Sequence, residues 1–172
     1  MKIFLAFTNM LVGFAKWSAI TAAMMMTIMV FLQVIFRYLI GEALSFSEEL
    51  ARYMFVWSVA MGTALALRRH AHIGVEVLVE ALPVRIGDKI KIVGTLLNLL
   101  FFGLLIWYGF VMVGATMDQE SPALLLPMGY VYLAIPVSGI VLFVCEIANY
   151  LESYHTTDVR TDAAIDQRGV KK

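Results

Sequence analysis

The sequence is poor in three features that water-soluble domains of this length commonly use, namely charge, cysteine and proline. Only 15% of its 172 residues are charged, whereas 61% are hydrophobic. This composition excludes a domain whose whole surface faces water, because too few polar residues are available to cover it. The single cysteine, Cys145, excludes an intrachain disulfide bond. A formal net charge of zero gives no support for nucleic-acid binding.

What the sequence has instead is four long apolar runs, each long enough to cross a bilayer as a helix. We therefore predict an all-α integral membrane protein with four transmembrane helices in a single membrane domain, residues 1–151. An alternating pattern in the segment after the second run also fits a strand, but a lone strand would leave its backbone groups unpaired. The predicted spans are 17–36, 46–67, 92–117 and 128–148, with an interfacial amphipathic helix at 73–82 and a flexible tail at 152–172.

The first sixteen residues are apolar, with Lys2 and Lys16 at the two edges. A basic start, an apolar run and the small residues that follow it are also typical of a signal peptide. Cleavage near Ala23 would leave an apolar segment too short to span a bilayer. We therefore expect residues 1–16 to be retained, either lying on the membrane or extending the first span.

The basic residues indicate the orientation of the four spans. They accumulate on one side of the predicted membrane. The other side has only two arginines, both beside span ends, and collects the acids Glu42, Glu48, Glu49, Asp118 and Glu120. Because basic loops stay in the cytoplasm, we expect both termini to be cytoplasmic. The residues on the basic side are Lys2, Lys16, Arg68, Arg69, Arg85, Lys89, Lys91, Arg160, Arg168, Lys171 and Lys172.

The second span opens with the run SFSEELARY, which places two acids and an arginine in its first two turns. Ser45 as N-cap with Glu48 three residues later predicts a capping box, and both acids suit the positive end of the helix dipole. Glu48 and Glu49 lie four and three residues before Arg52, so either acid can reach the guanidinium on one helix face.

Few polar or special residues interrupt the spans themselves. Gln33 is expected to bind a neighbouring helix or interfacial water, and Asn98 to form a hydrogen bond between helices. Glu146 is expected at the hydrated interface near the end of the last span. Gly62 allows close approach of another helix. Pro136 is predicted to kink the last span, with the freed carbonyl bonded by Ser138 or by a neighbouring helix.

The sequence lacks the residue patterns of the common membrane enzymes. The three histidines, His70, His72 and His155, lie at a span end or in the tail, so they cannot hold a b-type haem between facing helices. His70 and His72 could contact a surface metal ion, but no third ligand accompanies them. No charged residue lies near the middle of a span, where ion-coupled transporters usually keep one. We expect neither an enzyme nor an autonomous carrier of charged solutes, and no cofactor or metal in this chain.

Several separate stretches resemble one family. The runs QVIFRY (33–38) and SFSEELARYMFVW (45–57), the small-residue run ending at Arg69, HIGVEVLVEALP (72–83) and SPALLLPMGYVYLAIPVSG (121–139) resemble the small, DctQ-like membrane subunit of tripartite ATP-independent periplasmic (TRAP) transporters. The resemblance covers about residues 30–140 in the family's order. The departures are Phe46 and Glu76, where the family pattern has Trp and Asp, and Gly129 in place of a bulkier aromatic residue.

The resemblance implies a partner system in the bacterial inner membrane. In that family a soluble periplasmic protein captures an organic acid, such as a C4-dicarboxylate or a sugar acid, and a large multi-span subunit carries it inward with sodium ions. The small subunit forms a complex with the large one, and the sodium ions are expected in the large subunit. Two rival functions remain: a haem-free membrane anchor of a redox enzyme, and a small autonomous transporter.

Two sets of residues are therefore expected to matter for assembly. The expected subunit-interface or structural residues are Gln33, Arg37, Ser45, Ser47, Glu48, Glu49, Arg52, Gly62, Arg68, Arg69, His72 and Pro136. The expected docking rim for the periplasmic protein consists of Glu42, Glu48, Glu49, Asp118 and Glu120.

Overall fold

The computed structural model describes residues 2–41, 44–70 and 84–169 of the chain. Within these ranges the regular structure is helical, apart from one isolated antiparallel bridge between Glu120 and Pro127. The predicted interfacial helix at 73–82, together with Glu42 and His72, lies outside the described residues. The helices are α1 (Lys2–Ile35), a π-helical turn (Phe36–Ile40), α2 (Ser45–His70), α3 (Val84–Thr116), α4 (Gly129–Tyr132) and α5 (Ala134–Gly169).

Four helical segments of the described chain are long and apolar enough to cross a membrane. The prediction of an all-α fold with four membrane-spanning helices is confirmed. The segments are Ile3–Ile40, Ser45–Arg69, Lys89–Thr116 and Gly129–Ser153.

Three helices extend well beyond the predicted spans; of these, α3 begins at Val84, ahead of the predicted start at 92. α1 begins at Lys2, and its 34 residues are about 51 Å long, well beyond the ~30 Å core of a bilayer. The residues before Trp17 thus extend the first helix; Thr8 and Ala15 on one face of it are fully buried, whereas Ile3, Met10 and Phe14 are exposed. α5 continues through Gly169, where the sequence predicts a flexible tail from Glu152. No proline or glycine occurs between Glu152 and Gly169, so nothing in this stretch interrupts the backbone helix.

α5 is the central helix of the bundle. In its most apolar window 56% of the residues are buried, against 6% for the first span. α1 packs along α2, and α1, α2 and α3 all contact α5. Small residues at the shared core let the helices approach closely. The buried core residues are Ala15, Met61, Ala64, Phe102, Val141, Leu142 and Cys145.

Proline 136 lies in the first turn of α5, not in the middle of a span. The backbone stays helical through Leu133, whose N–H bonds to the Gly129 carbonyl at 2.9 Å and whose carbonyl accepts the Val137 N–H at 3.1 Å, so α4 leads directly into α5. Only the missing N–H of Pro136 interrupts the hydrogen-bond ladder. The Ser138 hydroxyl donates to the Ile135 carbonyl at 3.0 Å and not to Tyr132, whose carbonyl the proline leaves free. The kink of the last span at Pro136 stays a prediction.

The contact that brings α3 close to α5 is made by Gly109 against Pro136. Pro136 is fully buried, and a Cβ added at Gly109 would lie 2.8 Å from its Cδ and 3.0 Å from its backbone nitrogen. Such distances cannot be relieved by rotating a side chain, because the proline ring is rigid. Three other glycines of α3, at 94, 103 and 114, have nothing within 4 Å of an added Cβ.

We predict that Gly109→Ala destabilises the protein by about 1–3 kcal/mol, because it overpacks the α3–α5 contact. Gly103→Ala is the matched control: it makes the same change on the same helix with open space around it, and should leave stability unchanged or slightly raised. The measurement is the thermal unfolding midpoint of the purified protein in detergent. Equal midpoints for the two variants would contradict the predicted contact.

Candidate functional site

The acidic end of the bundle, where α2 begins and α3 ends, carries the SFSEELARY run. The expected ion pair between Glu48 and Arg52 forms, with Arg52 Nη2 3.0 Å from Glu48 Oε1. The two side chains are 61% and 67% exposed, so water screens their attraction. An exposed pair one helical turn apart contributes only ~0.3–0.5 kcal/mol. Its importance within this chain is therefore small.

Glu49 points away from Arg52 and into the protein. It is only 8% exposed, and its Oε2 accepts hydrogen bonds from the backbone N–H groups of Ala123 at 2.7 Å and Leu124 at 3.2 Å. The Tyr53 hydroxyl donates to Glu49 Oε1, and it also lies 3.4 Å from the sulfur of Met128. The expected pairing of Glu49 with Arg52 is thus wrong, because three donors of the folded chain converge on its carboxylate.

The predicted capping box at Ser45 does not form either. Ser45 is the first residue of α2, is exposed, and makes no side-chain hydrogen bond to a described residue. Ser47 is fully buried instead, and its hydroxyl donates to the Leu44 carbonyl at 2.8 Å. The Glu48 carboxylate therefore accepts a hydrogen bond from Arg52 and does not cap the start of α2.

The segment that Glu49 binds is the α3–α4 loop, residues 117–128. Its two arms are paired by backbone hydrogen bonds from Ser121 N–H to the Leu126 carbonyl at 2.9 Å and from Met128 N–H to the Gln119 carbonyl at 2.8 Å. The Ser121 hydroxyl accepts the Leu126 N–H at 3.2 Å. Leu125 has a φ of +52°, a left-handed conformation that is uncommon for a side-chain-bearing residue. The loop is a closed hairpin-like unit.

The expected docking rim is only partly present on the surface. Glu48, Asp118 and Glu120 are exposed, as the rim requires. Glu49 does not belong to it, because its carboxylate is buried beneath the α3–α4 loop. Nearby, Arg37 is exposed on the π-helical turn, and Gln33 is half-buried with no hydrogen bond from its side chain to any described residue.

A second polar contact joins the exposed Asn98 of α3 to a buried carboxylate of α5. Asn98 of α3 donates from Nδ2 to Glu146 Oε1 of α5 at 3.1 Å. The predicted hydrogen bond of Asn98 to another helix is confirmed. Glu146 is only 6% exposed, so the expectation of a hydrated, interfacial carboxylate is wrong. No atom lies within 4 Å of a Cβ added at Gly62, so the close helix contact predicted there is not made within the described chain.

A third polar cluster joins α2 to α5 at the basic end. Arg68 forms two hydrogen bonds with the Glu152 carboxylate, at 2.6 and 2.8 Å, and a third with Asn149 Oδ1 at 2.6 Å. Asn149 in turn donates from Nδ2 to the Leu67 carbonyl at 3.3 Å, which satisfies a backbone group near the end of α2. Arg69 is exposed beside the cluster.

The sequence did not reveal Glu152 or Asn149 as partners of Arg68. The signal that could have found them is topological: α2 and the last span run antiparallel, so an arginine ending one helix faces polar residues ending the other. A bidentate pair of this kind fixes geometry as well as charge.

These three clusters join separate segments of the chain by hydrogen bonds. Each carboxylate or guanidinium is bonded within the chain, and the residues that the structure describes include no group of three side chains able to hold a metal ion. The arrangement can lock helix positions and present a surface at the acidic end.

Comparison with known proteins places the chain among transporter components. Residues 26–156 match the family model described as tripartite ATP-independent periplasmic transporters, DctQ component. A TRAP transporter small permease protein of Haemophilus influenzae is 31% identical over 118 residues, which cover 69% of this chain and 73% of that protein.

Two further relatives are longer than the matched region. The C4-dicarboxylate TRAP transporter small permease protein DctQ of Vibrio cholerae is 31% identical over 56% of this chain and 44% of its own length. The isethionate TRAP transporter permease protein DctMQ of Oleidesulfovibrio alaskensis is 30% identical over 57% of this chain, but only 16% of its own length. A segment similar to this chain is thus part of a much longer polypeptide there.

We predict that Arg68→Ala lowers stability by about 1–3 kcal/mol, because it removes a charged hydrogen-bond donor shared by Glu152 and Asn149. Arg69→Ala is the control: it removes the same charge from the same helix end, but from an exposed position, and should change stability by no more than ~0.5 kcal/mol. The thermal unfolding midpoint in detergent gives the comparison. Equal losses in the two variants would show that net charge, and not the cluster, matters.

Proposed function

Because the chain belongs to the DctQ component family of TRAP transporters, we propose that this small permease subunit is the static scaffold of a sodium-coupled transporter that takes up an organic acid. It binds a large multi-span permease subunit, which holds the substrate and the sodium ions. A soluble periplasmic protein delivers the substrate. The chain itself catalyses no reaction and holds no cofactor.

The observation that carries the scaffold role is the use of the buried acids. The two buried carboxylates of the described chain, Glu49 and Glu146, are both hydrogen-bonded to another part of this same chain. Groups used in this way hold helices together and are not free to bind a moving ion or solute. A carrier would need the opposite arrangement, with polar groups directed into a cavity at mid-depth.

The exposed apolar surfaces support a partner in the membrane. α1 and α3 each present a row of large hydrophobic side chains outward, including Phe14, Phe31, Leu100 and Trp107. Such surfaces suit lipid and an apolar subunit interface equally well. The DctMQ relative, in which the matched segment makes up 16% of a longer chain, favours a large partner in constant contact.

The names of the relatives agree on a class of substrate but not on one compound. One is named for C4-dicarboxylates and another for isethionate, and both are small organic anions. We propose uptake of an organic acid, with a C4-dicarboxylate, sialic acid or another sugar acid as candidates.

The basic residues set the proposed orientation in the inner membrane. Arg68, Arg69, Lys89 and Lys91 stand at one end of the described helices, and Asp118 and Glu120 at the other. By the bias of basic residues toward the cytoplasm, the acidic end faces the periplasm and both termini are cytoplasmic. The rim of Glu48, Asp118 and Glu120, with Glu42, then faces the periplasmic protein.

The decisive experiment is reconstitution into liposomes with an inward sodium gradient. The large subunit with this chain should take up the organic acid only in the presence of the binding protein, and either subunit alone should take up at least tenfold less. Sodium-driven uptake by this chain alone would overturn the scaffold role. Full uptake by the large subunit alone would show that this chain is dispensable.

We also predict that Arg52→Ala weakens the complex more than it affects membrane insertion. The Glu48–Arg52 pair is exposed in this chain, but a partner that buries it would make loss of one member cost ~3–5 kcal/mol. Copurification of the large subunit should then fall by at least tenfold, with the amount of inserted chain unchanged. Lys89→Ala, an exposed cation at the other end, is the control. Normal assembly and transport by Arg52→Ala would show that the Glu48–Arg52 pair has no role in the complex and only marks the beginning of α2.

A further inference from the structure

The acidic end holds a buried carboxylate whose partner is a loop and not another spanning helix. Glu49 lies in the first turns of α2, where the neighbouring Glu48 is exposed, yet Glu49 is 8% exposed and bonded to a loop 74 residues away. Burying a carboxylate is costly unless its oxygens are satisfied. Two backbone N–H groups and the Tyr53 hydroxyl satisfy it here. The contact therefore ties one loop firmly to one helix.

The loop held in this way is closed by its own hydrogen bonds. The α3–α4 loop is closed on itself by the Ser121–Leu126 and Gln119–Met128 hydrogen bonds, and its tip contains the two N–H groups that Glu49 binds. Its position relative to α2 therefore depends on that carboxylate as well as on the two ends of the loop.

The outer face of the loop carries features typical of a binding surface. Asp118 and Glu120 are exposed and form no ion pair within the described chain, whereas Glu48 is paired with Arg52. Leu125 is 67% exposed, and it holds a left-handed φ that costs energy without burying the side chain. An exposed leucine beside two unpaired carboxylates suits a partner with an apolar spot bordered by basic residues.

We propose that Glu49 is a positioning residue: by fixing the α3–α4 loop against α2, it presents Asp118, Glu120 and Leu125 as the docking surface for the soluble binding protein. This inference rests on the proposed function and deepens it, because it assigns the docking surface to one loop and names a buried residue that controls it. Glu49 itself does not touch the binding protein.

Hydrogen exchange of the assembled transporter in lipid nanodiscs tests the positioning step. In Glu49→Ala the amides of Ala123 and Leu124 lose their acceptor, and they should exchange at least about tenfold faster than in the wild type. Glu49→Gln keeps one acceptor oxygen and should restore most of the protection. Thr63→Ala, at an exposed position on the same helix, is the control and should leave these amides unchanged. Unchanged exchange in Glu49→Ala would overturn the proposal.

Uptake as a function of binding-protein concentration tests the docking step. Glu49→Ala should raise the KM for the binding protein at least fivefold while leaving the maximal rate and copurification of the large subunit near wild type. Leu125→Ser and the double variant Asp118→Asn/Glu120→Gln should raise the same KM without altering exchange at positions 123 and 124. A lower maximal rate at unchanged KM would assign Glu49 a purely structural role and overturn the proposal.

The remaining outcomes also decide the matter. If Glu49→Ala does not assemble, Glu49→Asp replaces it: its carboxylate is one methylene shorter and falls short of the two loop amides, so unchanged exchange and unchanged KM in this variant would overturn the proposal. If Leu125→Ser weakens retention of the chain in nanodiscs without changing the KM, the leucine faces lipid and the docking surface is wrong. If uptake does not depend on this chain at all, the proposed function fails, whereas normal dependence with an unaltered KM in all variants defeats only the docking inference.

Discussion

The structure depends on one constraint: polar groups at membrane depth must find partners inside the protein, because lipid supplies none. The chain meets it at three levels of the bundle. Glu49 binds the α3–α4 loop at the acidic end, Asn98 binds Glu146 between α3 and α5, and Arg68 joins α2 to α5 at the basic end. Each contact joins segments far apart in sequence. Polar groups that would destabilise the fold if buried without partners therefore fix the relative positions of the segments they join.

The helix that these contacts share is α5. It receives Asn98 from one side and Arg68 from another, and its small core residues Cys145 and Ala148 are fully buried. α1 and α3 lie on the outside of the bundle and keep most of their apolar surface exposed. A buried central helix with wide apolar flanks is compatible with the proposed scaffold role. A scaffold subunit needs large packing surfaces and no internal passage for solute.

Sequence reasoning succeeded where the interaction is local. The Glu48–Arg52 pair follows from a spacing of four residues on one helix, which helical geometry alone brings together. The type of bond made by Asn98 was also predictable, since an amide inside an apolar span needs a polar partner, but the identity of Glu146 was not. Glu49 was misassigned because Arg52 is near in sequence, whereas its real donors belong to a loop beyond a whole intervening span.

The sequence by itself determined the class of protein, the four spans and the family, since apolar run length and motif order are properties of the chain read along its length. Only the tertiary structure decided which polar residues are buried, where α1 and α5 extend, and that Glu49 holds a loop instead of facing outward. The physical reason is that burial and hydrogen-bond partners depend on which helix faces lie together. Two neighbouring glutamates with the same local chemistry, Glu48 and Glu49, end in opposite environments because they point from different faces of one helix.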